Sequence, residues 1–262
     1  MPTLFTHPPA MSESITHYCP GCTHGIIHRL VGEALDELGL TPRTVGIAPV
    51  GCAVLIYNYF NVDFQEAAHG RAPALATGAK RARPDLIVFT YQGDGDLASI
   101  GGNEIIHAAN RGEKFTTFFV NNAIYGMTGG QMAPTTLPGQ VTTTTPAGRD
   151  PAKAGYPMRV CELLATLRTP GYVVRTAVHT PQLIVQTKHA IRRAFELQAA
   201  NRCFTFVEIL STCPTNWGMT PTKALQWLQD NMVPYYPIGV FKDPDLPETQ
   251  QGLVPIPRKT QV

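Results

Sequence analysis

Charge is scarce in this chain. Only 15% of its 262 residues are Asp, Glu, Lys or Arg, against about a quarter in ordinary soluble domains. From Phe115 to Gly148 there is no acidic, basic or histidine side chain at all, and such a stretch is not built to lie freely in water. The 21 Lys and Arg nearly balance 19 Asp and Glu. The densest basic group is the short Lys80-Arg81-Ala82-Arg83, too little for a nucleic-acid binder. Long apolar runs are missing as well. Thr44 to Val62 is uncharged over a length near that of a bilayer span, but it contains Gly46, Pro49, Gly51, Asn58 and Asn61 and reads as strand and turn, so no membrane partner is expected. The N-terminus MPTLFTHPPAMSESITHY has no basic region followed by an apolar core. No signal peptide is expected, and a cytoplasmic protein is the default. There is no internal repeat, and no G-x-G-x-x-G dinucleotide fingerprint follows a strand.

What is present is ample core material, 44% apolar residues. Ile27, Leu30, Val31, Ala34, Leu35 and Leu38 form one stripe and predict a helix over 23–39, with Thr23 as cap and Gly39 as terminator. Thr44 to Val50, Leu86 to Gln92, Thr116 to Val120, Tyr172 to Val178 and Phe204 to Leu210 read as strands. Helical patterns around 73–83, 97–110 and 181–200 separate them. This alternation predicts an α/β fold, a mostly parallel sheet with helices on both faces. Residues 129–157, rich in Thr, Gly and Pro, read as a long loop, and long ordered loops are functional or contact-forming. A division is expected into a main domain, 1–213, and a C-terminal extension, 214–262. The extension carries one short helical pattern, 222–232, and a Pro-rich tail that lies on the domain or on a partner.

In an open parallel sheet, ligands bind beyond the carboxyl ends of the strands. Those positions hold Gly51-Cys52, Gly93-Asp94-Gly95-Asp96, Asn121-Asn122 and Cys213. Asp94 and Asn122 are separated by the length of a turn, a helix and a returning strand, so a crossover brings both to one edge. A carboxylate and an amide oxygen are hard ligands suited to Mg2+, which completes its octahedron with phosphate oxygens. Gly93 and Gly95 let backbone amides approach an anion. An EF-hand is excluded because the twelfth position from Asp94 is Ile105. Of six cysteines, Cys19 and Cys22 form a close pair, while Cys52 and Cys213 stand at strand ends. Four thiolates suffice for a cubane iron-sulfur cluster. A zinc site on Cys19, Cys22 and His24 is the rival, and it lacks a fourth ligand. Cys161 and Cys203 read as buried thiols.

The motifs GDGDLASIGGNEIIHAANRG and NNAIYGMTGGQMAPTT resemble those of the thiamine-diphosphate-binding β subunit of the 2-oxoacid:ferredoxin oxidoreductases. The similarity extends to CPGCTHG at 19–25, PVGCAV at 49–54, HGRAPALATGAK at 69–80 and STCPTNWG at 211–218. It covers most of residues 17–218, and the wording YGMTGGQ and STCPTNWG is most like the 2-ketoisovalerate, or branched-chain, branch.

The resemblance implies a thiamine-diphosphate-binding fold of the diphosphate type. It implies that Asp94, Asn122 and the carbonyl of Ile124 hold Mg2+. Gly51, Cys52, His69, Gly70, Gly93, Gly95, Asp96, Tyr125, Gly126, Met127 and Thr128 are expected around thiamine diphosphate, with Met127 under the thiazolium. His69 and Arg71 are expected near the diphosphate or substrate as catalytic groups, although a lone histidine also serves structure. Cys19, Cys22, Cys52 and Cys213 are assigned to the 4Fe-4S cluster. Coenzyme A is the implied acyl acceptor and ferredoxin the electron acceptor.

The family activates its cofactor with a glutamate on a separate pyrimidine-binding domain, and no second α/β domain is expected within these residues. An α subunit is therefore expected to bring the glutamate, and γ and ferredoxin-like subunits the rest of a hetero-oligomer. The uncharged loop 132–148 is expected to face the subunit that brings it. Leu55, where dicarboxylate-accepting relatives can offer lysine, favours a branched-chain 2-oxoacid or pyruvate over 2-oxoglutarate. A non-redox thiamine decarboxylase or synthase subunit and a zinc-stabilised assembly subunit are the alternatives.

Overall fold

The computed structural model describes residues 6–247, 251–252 and 254–256. Seven strands form one sheet in the order β2-β1-β3-β4-β6-β5-β7. They are β1 (Thr44–Ala48), β2 (Asp63–Glu66), β3 (Ile87–Gly93), β4 (Thr116–Asn121), β5 (Tyr172–Ala177), β6 (Thr205–Leu210) and β7 (Gly239–Lys242). All neighbours are parallel except β7, which runs antiparallel to β5. The sheet alternates its side chains between two cores, as period-two geometry requires. Phe89, Phe118, Val174 and Val207 face α1 (His24–Glu37) and α6 (Pro181–Ala199). Val88, Phe119, Val173 and Phe206 face α2 (Ala72–Ala82), α3 (Gly102–Arg111) and α5 (Val160–Ala165). Both faces are covered, which is why the central strands read as continuous apolar or β-branched runs.

Several expectations are corrected. Thr23 does not cap α1 with its side chain; its hydroxyl is drawn instead to Ser211 Oγ at 2.6 Å and Thr212 N at 3.3 Å, on the loop after β6. The helix expected over 97–110 is two pieces, a π-helical turn over Gly95–Ser99 and then α3. The break falls at Gly101, where a Cβ would stand 2.2 Å from the Asp96 carbonyl oxygen and 2.9 Å from that of Gly70. π-turns often mark functional sites. The loop 129–157 is ordered by turns and ends in the one-turn helix α4 (Pro151–Ala154).

Edge strands β2 and β7 carry no alternation that sequence alone reveals. The segment after Cys213 forms short helices α7 (Pro214–Trp217), α8 (Pro221–Trp227) and α9 (Val233–Tyr235), with a π-turn over Leu228–Met232. Leu228, Met232 and Tyr236 pack on Ala123, Leu137, Ala177 and Leu210 beyond the sheet, and β7 continues the sheet itself. Within the tail, Val254 bridges back to Val240.

Candidate active site

The register sets Gly93 opposite Val120 and Asn121 opposite Leu210, so β3, β4 and β6 end together. A cavity of about 310 Å³ opens there. Gly93, Asp94, Gly95 and Asp96 line it with Asn122, Ile124, Tyr125, Gly126, Met127 and Thr128, and Gly51, Cys52 and His69 close the far side. Of the residues that sequence placed at separate strand ends, Gly51, Cys52, Gly93, Asp94, Gly95, Asp96 and Asn122 line this one cavity.

Asp94 and Asn122 meet over a single amide. Ile124 N donates to Asp94 Oδ2 at 3.1 Å and reaches Asn122 Oδ1 at 3.3 Å. Between the two ligand candidates, Ala123 has φ 57°, a left-handed conformation uncommon for a residue with a Cβ. It is held from both sides, since Ala123 N donates to Asn121 Oδ1 at 3.1 Å and Thr136 Oγ1 donates to Ala123 O at 2.7 Å. Burial pushes the Asp94 carboxyl up to about 7, opposed by hydrogen bonds from Thr135 and Ile124. A nearby divalent cation would reverse that penalty. The carboxylate of Asp94 and the amide oxygen of Asn122 thus stand at one buried turn, a hard donor pair that fits Mg2+, with Asp94 Oδ1 the carboxylate oxygen not taken by Ile124 N and Thr135.

Asp96 has a different task. Its Oδ1 accepts from His69 Nδ1 at 2.6 Å, Gly70 N at 2.9 Å and Val50 N at 3.3 Å, and its Oδ2 accepts from Gln92 Nε2 at 2.7 Å. One carboxylate thus ties the ends of β1 and β3 to the HGR turn. Gly70, with φ +79°, makes the turn, and a Cβ there would stand 2.8 Å from Gly101 N. With Nδ1–H committed to Asp96, Nε2 is the ring nitrogen His69 has left for the cavity. Arg71 is placed elsewhere. Its guanidinium pairs with Glu104 of α3, and it does not line the cavity.

Cys52 lines the cavity, and Cys213 lies beside it. A Cβ on Gly126 would stand 3.0 Å from Cys52 Sγ and 3.4 Å from Cys213 Sγ. Burial pushes Cys22 up to about 11, with Cys213 and Cys19 adding to the rise. Burial likewise pushes Cys52 up to about 12, with Cys213, Cys22, Asp94 and Cys19 adding. The four thiols are thus close enough to oppose one another's ionisation. Among the described residues no group of three or more His, Cys, Asp or Glu could hold a metal ion. A cubane is gripped at its corners, so its thiolates stand further apart than the ligands of one ion, and Cys19, Cys22, Cys52 and Cys213 fit that donor set. The zinc alternative fares worse, because Cys19, Cys22 and His24 do not form a group that could hold one ion; His24 Nδ1 shares a hydrogen bond with Tyr91 Oη at 2.8 Å. Burial, then the charge of His17, lowers His24 to about 3 and keeps it neutral. Cys161 and Cys203 are buried.

Sequence reading missed His24, Ser99 and Ile100 in the cavity wall, Gln92 behind Asp96 and Thr135 on Asp94. Gln92 had a signal, a polar residue at the end of an apolar strand. Thr135 had none, lying in an aperiodic loop. Leu55 packs against the α1 core and is not a wall of the cavity. Among the described residues no helix is long and apolar enough to cross a membrane.

Comparison with known proteins adds four findings. The family model "Thiamine pyrophosphate enzyme, C-terminal TPP binding domain" matches residues 49–209. The chain is 52% identical over 240 residues to ketoisovalerate oxidoreductase subunit VorA of Methanothermobacter thermautotrophicus, covering 92% of this chain and 50% of the relative. It is 36% identical over 223 residues to 2-oxoglutarate synthase subunit KorB of Methanocaldococcus jannaschii, covering 82% of this chain and 78% of the relative. The chain therefore spans about half the length of the ketoisovalerate relatives it matches. Among solved structures it is similar to the 2-oxoglutarate:ferredoxin oxidoreductase from Magnetococcus marinus with 2-oxoglutarate, coenzyme A and succinyl-CoA bound. That match has TM-score 0.73 and 30% identity, and covers 87% of this chain and 74% of the other.

Proposed function

This chain belongs to the thiamine-pyrophosphate-binding β-type subunits of the 2-oxoacid:ferredoxin oxidoreductases, and on that premise we propose that it forms one subunit of a hetero-oligomer that oxidatively decarboxylates a 2-oxoacid. Thiamine diphosphate, Mg2+ and a 4Fe-4S cluster are its cofactors, coenzyme A the acyl acceptor and ferredoxin the electron acceptor. The observation that carries the reading is the meeting of Asp94 Oδ2 and Asn122 Oδ1 over Ile124 N, in a cavity that Cys52 also lines.

When bound, thiamine diphosphate supplies carbanion stabilisation and the cluster a nearby one-electron acceptor. The chain supplies position and exclusion of water. Asp94, Asn122 and the Ile124 carbonyl would hold Mg2+, while Gly93 and Gly95 leave the backbone accessible to the diphosphate. Tyr125, Gly126, Met127 and Thr128 would line the thiazolium end. His69, its Nδ1 proton held by Asp96, offers Nε2 to accept or return a proton. Cys19, Cys22, Cys52 and Cys213 would ligate the cluster one wall away from the cofactor. The activating glutamate would come from an α subunit with the pyrimidine-binding domain, and γ and ferredoxin-like subunits would complete the assembly. The extension from Pro214 to Lys242 would act as one unit with the main domain, since β7 belongs to the common sheet.

A branched-chain 2-oxoacid is the favoured substrate. The preference rests on the 52% identity to the ketoisovalerate subunit against 36% to the 2-oxoglutarate one; Leu55 bears on it only through packing.

Anaerobic purification with partner subunits tests the proposal. The complex should contain thiamine diphosphate and a brown, sulfide-containing iron centre bound to this chain. It should reduce a viologen dye fastest with 3-methyl-2-oxobutanoate and coenzyme A. Zinc in place of iron, or decarboxylation without dye reduction, would favour the non-redox alternatives.

A further inference from the structure

We propose that Thr135 is a positioning residue for the metal-binding carboxylate, and that it couples the uncharged loop to the two strand ends that would hold Mg2+. This rests on the reading of Asp94 and Asn122 as ligands. Thr135 is completely buried, and its hydroxyl donates to Asp94 Oδ2 at 2.9 Å, across 41 residues of sequence. A threonine that needed only to satisfy itself would find a carbonyl in its own turn. This one reaches out of its turn to the oxygen that also accepts from Ile124 N. Two donors on one oxygen fix the plane of the carboxylate, as partners of ligating carboxylates do in metal sites.

The next residue reaches the other side of the same site. Thr136 Oγ1 donates to Ala123 O at 2.7 Å and accepts from Ala133 N at 2.8 Å, so it holds the left-handed residue between Asn122 and Ile124. Thr135 and Thr136 together touch both arms of the cation site.

The turn that carries them is itself clamped. Tyr236 Oη donates to Thr135 O at 2.7 Å. Arg149 Nη1 donates to the carbonyls of Ala133, Pro134 and Thr136 at 3.2, 3.0 and 2.7 Å. Its Nε and Nη2 reach Gly155 O and Ala154 O at 3.0 and 3.1 Å. Arg149 is the first charged residue after the uncharged stretch, and it is spent on the loop's own backbone. The loop thus has a rigid inner edge on Asp94 and an outer edge, at Val141, Thr143 and Thr144, in solvent.

The test uses the complex purified with its partner subunits, saturated with thiamine diphosphate and titrated with Mn2+, the free ion being read by electron paramagnetic resonance. Thr135→Val should weaken Mn2+ binding by about 10- to 100-fold, and Thr135→Ser, which keeps the hydroxyl, should restore it. Asp94→Asn is the control for the underlying reading. If Asp94→Asn binds Mn2+ as the wild type does, the ligand reading fails. If Asp94→Asn loses Mn2+ while Thr135→Val keeps wild-type binding, the ligand reading stands and the positioning role is overturned. Should Thr135→Val fail to assemble, Tyr236→Phe loosens the same turn through the Thr135 carbonyl. It should weaken Mn2+ binding in the same direction, and unchanged binding would overturn the proposal.

Discussion

Asp96 Oδ1 stands 2.6 Å from His69 Nδ1, so the imidazole in the cavity wall is steered by a carboxylate whose side chain is 1% exposed. The same carboxylate receives Gly70 N, Val50 N and Gln92 Nε2. His69 is therefore fixed in tautomer and in direction by the end of β3, not by its own turn. His69→Gln in the assembled enzyme should lower kcat by roughly 100-fold, the scale of general acid-base catalysis, with thiamine content unchanged. Asp96→Asn should lower kcat less and shift its pH profile. Loss of bound thiamine in His69→Gln, with kcat per bound cofactor intact, would mark His69 as a binding residue only.

In the metal-free protein Asp94 should contribute a loss of stability as pH rises toward neutrality. Burial lifts the Asp94 carboxyl from its ordinary 3.8 to about 7. Between those values the folded state holds a proton that the unfolded chain has released, so stability falls with increasing pH through that window. Asp94→Asn removes the effect. In EDTA the variant should match the wild type near pH 4 and exceed it above pH 7, by up to roughly 1.4 kcal/mol for each pH unit of the window. Thermal melts across pH read this directly, and parallel curves for the two proteins would contradict it.

The ion pair of Arg175 and Glu208, both with side chains wholly out of water and 2.9 Å apart, sits behind the site. Glu208 Oε1 accepts from Asn121 Nδ2 at 2.8 Å, next to the ligand candidate Asn122. Arg175 also pairs with Glu162, which is 31% exposed, and its guanidinium lies over the Tyr236 and Phe241 rings. Glu208→Ala should destabilise by about 3–5 kcal/mol, because it leaves a buried charge short of its partner. Glu162→Ala should cost less, since water can replace it. Denaturant midpoints at constant slope distinguish the two.

Cys213→Ser should reduce iron and sulfide in the anaerobically purified complex to a small fraction of the wild-type content. Cys203→Ser should leave both unchanged, because Cys203 lies at the far end of β6, before Thr205. Equal iron in the two variants would remove Cys213 from the cluster.

Thr143 is exposed, and its backbone amide donates to Gly130 O at 2.8 Å. Thr143→Lys should therefore leave the melting temperature of the chain within about a degree of wild type, as surface changes do, while reducing co-purification with the α subunit. Thr144 is a poorer probe, since its hydroxyl accepts from Met132 N at 2.9 Å.

The amino-acid sequence by itself determined the central strands, the helices between them and the polar residues at the strand ends. Apolar and β-branched runs and helical stripes are local signals, and parallel crossovers oblige successive strand ends to share an edge. That geometry is why GDGD, NN, Gly51-Cys52 and Cys213 were legible together. The tertiary structure alone decided the rest. It sent Arg71 to Glu104, Thr23 to Ser211 and Thr135 to Asp94, because each pairing depends on which distant segment folds alongside. It added β2 and β7, short edge strands whose pairing comes from a neighbour and not from their own pattern. The aperiodic loop of the uncharged stretch, which the sequence marked only as a loop, holds the hydroxyl that donates to the Asp94 carboxylate. A buried hydrogen bond needs no periodicity, only a partner of matching chemistry at the right distance.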